Sequence, residues 1–202
     1  MEPDCAQGTG SQASQASAQS GPDVEDCGED PNAAQSAQSV RDAHARALAL
    51  LESAIAATDA GGPAVSAAPT RHFKADDAKL LKRVRRTLES MRNAKDASYE
   101  CEQGESLIDG LCKKRRHGVS LFNIHLCPFW WSYSSDKRAL ALLHEWAHKW
   151  GEGVNRVFED YCFDTGYKSA TTGERLKYPD AFAGYISEVV LGSTLDCWLS
   201  MP

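Results

Sequence analysis

The sequence predicts an α+β domain, mainly helical with a small antiparallel sheet, over residues 38–202, behind a disordered tail over residues 1–37. Two observations set that division. The first 37 residues hold almost no large apolar side chain and carry the near-repeat SQASQASAQS, so they bury too little surface to offset chain entropy. Beyond them, apolar residues recur at helical spacing in four stretches, and one short apolar stretch alternates loosely instead.

Each element follows from local signals. Residues 39–59 read as a helix on Val40, Ala43, Ala47, Leu51 and Ile55, stopped by Gly61, Gly62 and Pro63. Residues 75–94 read as a second, with Leu80, Leu81, Val84, Leu88 and Met91 on one face and Lys and Arg on the other. Residues 96–118 read as irregular structure or short strands, and residues 119–126 as a strand ended by Cys127 and Pro128. Ser134, Ser135 and Asp136 offer N-caps for a helix over residues 137–150, which Gly151 and Gly153 terminate. Residues 152–178 read mostly as loop. Pro179 opens a last helix carrying Phe182, Ile186, Val189 and Val190, and Gly192 ends it.

The net charge of −6 argues against a nucleic-acid partner, which a basic excess would favour. The basic runs at residues 79–86 and 113–117 read as solvated faces in preference to a substrate-attracting patch. No apolar run reaches the length of a membrane span, and the start MEPDCAQGTG lacks the basic and apolar regions of a secretory signal. The expectation is a soluble protein, intracellular or exported by a route that reads no classical signal. Seven cysteines occur without a CxxC pair, which favours disulfides in an oxidising space over a cysteine-zinc site. Cys101 and Cys112 could close a short loop, and the odd number leaves one cysteine unpaired within a monomer.

The chemistry concentrates in the helix over residues 137–150. His144, Glu145 and His148 form HExxH. Residues four apart share a helix face, so two imidazoles can meet one metal ion, with Glu145 beside it to accept a proton from water that zinc acidifies. Chance would produce this pattern in about one chain in a hundred, and the helical setting adds weight against two ordinary core histidines. A catalytic zinc site needs a third protein ligand. No histidine follows His148, which leaves Glu152, Glu159, Asp160, Asp164 and Asp180 as candidates.

The segment from Ile124 through Cys127-Pro128-Phe129-Trp130, followed by DKRALALLHEWAH from Asp136, resembles the aspzincin metallopeptidases, the deuterolysin and peptidyl-Lys metalloendopeptidase group. Asp160-Tyr161-Cys162-Phe163 is similar to that family's D-x-x-Y-G motif, and residues 178–185 to its N-A-D-S-Y segment. The resemblance covers about residues 40–197, also taking in Arg71-His72-Phe73 and Tyr99-Glu100-Cys101. It implies a zincin-like fold, a Zn2+ ion on His144, His148 and Asp160, and Glu145 as general base. Phe163 stands where the family has an oxyanion-stabilising tyrosine, and it has no donor. A second register, Asp164-Thr-Gly-Tyr167, restores the tyrosine, so Tyr167 takes the oxyanion role. Asp180 matches an aspartate that helps receive a substrate lysine, although a neighbouring acidic position is Ala183 here.

The expected function is therefore zinc-dependent hydrolysis of a peptide or protein substrate by a metalloendopeptidase. Two alternatives stand beside it. One is an effector or toxin peptidase delivered by a secretion machine, with an immunity partner and a host protein or cell-wall peptide as target. The other is an inactive zinc fold used as a binding module, for which Phe163 is the support and Glu145 the objection.

Overall fold

The structure is a computed structural model, and it describes residues 21–25, 27, 36–101, 118–119, 123–154, 161–195 and 197–201. Three helices lead. The first, α1 (Ala37–Ala60), starts where the Ser36 hydroxyl accepts from the Ser39 N–H at 3.2 Å. Its buried stripe runs through Val40, Ala43, Ala47, Leu50, Leu51 and Ala54. Gly61 ends it at φ +70°, a backbone state that glycine reaches without a Cβ penalty. Pro63 then opens α2 (Pro63–Phe73), because a proline at the first turn gives up an N–H that has no helical partner anyway. The sequence reading took Pro63 only as a stop. In α3 (Ala78–Met91) the Asp77 carboxylate accepts from the Leu80 N–H at 2.9 Å, and Leu80, Val84, Leu88 and Met91 are buried.

Four short strands form one sheet: β1 (Asp23–Glu25), β2 (Ser98–Cys101), β3 (Gly118–Val119) and β4 (Ile124–Leu126), in the order β1-β2-β4-β3. The sheet corrects the antiparallel expectation. β1 runs parallel to β2, with Val24 opposite Tyr99, and β2 parallel to β4, with Tyr99 opposite Ile124. Only β3 and β4 are antiparallel. The reason lies in the connections: three helices separate β1 from β2, and more than twenty residues separate β2 from β4. Both are long enough to return the chain in the same direction.

Part of the segment read as tail belongs to the domain, since it supplies β1 and a disulfide from Cys27 to Cys101. That bond replaces the loop expected between Cys101 and Cys112. A second disulfide joins Cys162 to Cys197, and Cys127 is disulfide-bonded as well.

The centre of the domain is α4 (Ser135–Trp150). Every residue from Ala139 to His148 is buried, and the helix packs against α1 and α3. After it come α5 (Thr165–Ser169) and α6 (Thr172–Arg175), two short helices in the stretch expected to be loop. The Thr171 N–H donates to the Glu174 carboxylate at 2.6 Å, which starts α6. The last helix, α7 (Pro179–Leu191), packs on α4, α2 and α1 and ends at Gly192 with φ +70°. Among the described residues, no helix is long and apolar enough to cross a membrane.

Candidate metal centre

The middle of α4 carries His144, Glu145 and His148, each at most 6 % exposed. The helix is buried from Ala139 to His148, so the three polar side chains sit in the interior and need partners there. The Nε2 atoms of His144 and His148 lie 3.2 Å apart, and the rings meet edge to face. Tetrahedral zinc with bonds of about 2.0–2.1 Å holds two ligand nitrogens about 3.3–3.4 Å apart, so this spacing fits a shared metal ion. A Glu145 oxygen lies 4.0 Å from Nε2 of His144.

The other nitrogen of His144 is occupied. Its Nδ1 lies 2.5 Å from an oxygen of Asp180, the second residue of α7. Trp198 donates from its indole N–H to the same oxygen at 3.0 Å, and the backbone N–H of Cys162 donates to the other. Burial acts to raise the Asp180 pKa, but His144 and the three hydrogen bonds outweigh it and hold the carboxyl below its ordinary value. An ionised Asp180 accepts Nδ1–H of His144, which leaves the Nε2 lone pair to face His148. Carboxylate–histidine pairs of this kind fix the tautomer and ring angle of metal ligands.

This placement does not fit the role expected of Asp180. Both oxygens are engaged inside the protein, and the residue is 1 % exposed, so it cannot receive a substrate lysine. Nor can it be the third ligand, because it grips the opposite side of the imidazole from Nε2. Glu152 is an exposed partner of Arg86. The Asp164 carboxylate accepts from the Tyr161 N–H at 2.9 Å and closes a local turn. Asp160 and Glu159 lie outside the described residues. Among the described residues, no group of three or more His, Cys, Asp and Glu side chains is placed to hold a metal ion.

Aromatic rings build the wall beside the histidines. Tyr161 stacks on His144 with 5.6 Å between centroids, and Phe163 stacks on Tyr161 at 5.5 Å. Phe163 is exposed, so this stack runs from His144 to the surface. Tyr167 sits on α5, buried, with the Arg175 guanidinium 3.6 Å above its ring and Tyr178 against it edge to face.

The structure thus brings His144, Glu145, His148 and Asp180 together, and adds Trp198 and the Cys162 N–H, which the sequence reading missed. The only signal for them was Cys162 and Cys197 as a pair, with Trp198 next in chain to the second. No protein-family model matches the chain, and no curated protein matches it.

Proposed function

We propose that the chain is a zinc-dependent metalloendopeptidase. The observation that carries this reading is the pair of Nε2 atoms 3.2 Å apart, with Asp180 orienting one ring and Glu145 beside them. His144 and His148 are two of the three ligands, and Asp160 is the third by its likeness to the aspzincin motif. A zinc ion held by them would supply Lewis acidity, lowering the pKa of a water and polarising a peptide carbonyl. Glu145 would take a proton as the water oxygen adds to the carbonyl carbon, and give it to the amine nitrogen as the C–N bond breaks. Asp180 keeps His144 in the tautomer that presents a lone pair. Tyr161 and Phe163 line an aromatic wall against which a substrate chain can lie.

The disulfides support a place of work in an oxidising space. They favour the version of this function in which the peptidase is exported and acts on a host protein or a cell-wall peptide.

The test is a peptide-library digest with wild type and Glu145→Gln. Wild type cleaves, a chelator stops it, and added zinc restores it. Glu145→Gln keeps its zinc and loses about 10²–10⁴ in rate. A wild-type chain that carries zinc and cuts nothing overturns the proposal in favour of a binding module.

A further inference from the structure

Arg175 is 6 % exposed, yet among the described residues its Nε has no hydrogen-bond partner and no carboxylate is paired with it. A buried cation without a partner is costly, and such groups survive in folded proteins where something binds them. The centre of the Tyr167 ring lies 3.6 Å from the Arg175 guanidinium carbon. At that distance the guanidinium lies against the ring, and its Nε–H has no acceptor. A guanidinium's N–H fork matches a carboxylate with two parallel hydrogen bonds.

Arg175 lines a cavity of about 250 Å3 together with Arg71, Cys162, Tyr167 and Lys168. Among the described residues, no acidic one lines it. Arg71 is offset by Glu188 at 2.9 Å, whereas Lys168 is exposed and adds charge at the rim. The volume suits one side chain or chain end, below the usual size of a drug-like ligand site. The cavity adjoins the candidate metal centre through Cys162, whose N–H binds the same Asp180 that holds His144.

We infer that this cavity is a carboxylate-binding subsite, in which Arg175 takes an acidic side chain or the free C-terminus of a peptide. The identity of the ligand as a peptide rests on the peptidase reading; its charge rests on the unpaired guanidinium. The preference is opposite in sign to the lysine preference that Asp180 suggested from the sequence.

The test is calorimetric binding to the full-length Glu145→Gln chain, with two pairs of probes. One pair is the acetylated, amidated pentapeptide Ala-Ala-Glu-Ala-Ala and its Gln counterpart. The other is acetyl-Ala-Ala-Ala with a free carboxylate and with an amide. A carboxylate probe binds about tenfold or more tightly than its neutral counterpart, and Arg175→Met removes the difference. Preference in the first pair assigns the site to an acidic side chain, and in the second to a chain end. Lys168→Ala, a surface change that does not threaten folding, reduces the difference about threefold. Equal binding within both pairs overturns the inference, as does a preference that Arg175→Met retains. Because binding is read without turnover, the two readings fail separately. A chain that selects carboxylates but cleaves nothing in the library keeps the subsite and loses the peptidase, and cleavage without carboxylate preference does the reverse.

Discussion

Nδ1 of His144 and the carboxylate of Asp180 meet at 2.5 Å across 36 residues of sequence, in the contact between α4 and α7. This pair links the fold to the chemistry, because the same carboxylate also holds Cys162 and Trp198. Asp180→Asn keeps the shape but turns one oxygen into an N–H₂ that meets donors. Zinc affinity, measured by competition with a chromogenic chelator, falls about 10–100-fold. Stability falls by about 1–3 kcal/mol in urea. Unchanged zinc affinity in a folded Asp180→Asn would remove Asp180 from the account.

Two of the disulfides separate stability from site geometry. The Cys162–Cys197 bond ties together the Cys162 and Trp198 segments, both of which donate to Asp180, whereas Cys27–Cys101 ties the segment after β1 to β2. Replacing either pair by serine costs about 3–5 kcal/mol in the chain-entropy picture, with the longer Cys27–Cys101 loop at the upper end. Only the Cys162→Ser, Cys197→Ser chain also loses zinc affinity. An equal effect of both double variants on zinc would show that the Cys162 turn does not support the site.

Much of this was legible in the sequence, and the limits have physical reasons. The long helices announced themselves by apolar period, and HExxH is local, so His144, Glu145 and His148 could be placed from one turn of α4. The parallel sheet could not be read, because strands of two to four residues carry no period and their direction is set by distant connections. Asp180 was noticed, but its contact with His144 was not foreseen. A carboxylate at a helix start looks the same in sequence whether it faces solvent, substrate or a buried imidazole. α2 was missed since Gly61-Gly62-Pro63 reads equally as an end and as a beginning.

A second buried network gives a pH dependence. Trp146 donates to the Tyr99 hydroxyl at 3.0 Å, and that hydroxyl lies 2.8 Å from Nδ1 of His44. Burial pushes the Tyr99 phenol far up and His44 below its ordinary 6.5. Tyr99 therefore stays protonated, and His44 stays neutral as its acceptor. Below pH 6.5 the unfolded chain takes up a proton on His44 that the fold refuses, so stability drops as pH falls toward the depressed folded value. Urea midpoints taken along that range show this slope, and His44→Phe flattens it. Tyr99→Phe strands both partners and costs about 1–3 kcal/mol. A slope unchanged by His44→Phe would assign the effect to other groups.

Gly184 on α7 lies directly under His72. A Cβ there would stand 2.6 Å from Nδ1 of that ring, and the ring cannot yield because Glu188 holds its Nε2 at 3.0 Å. Gly184→Ala therefore destabilises by about 1–3 kcal/mol through overpacking, read as a lower urea midpoint. A neutral or stabilising result would mean that His72 is free to move.

The most direct measurement is metal content by elemental analysis of the purified full-length chain, with His144→Ala and His148→Ala beside it. The account predicts about one zinc per wild-type chain and loss of it in both variants, with Glu145→Gln still loaded. Zinc absent from the wild type after exposure to the ion, or content unchanged when either histidine is removed, would contradict it.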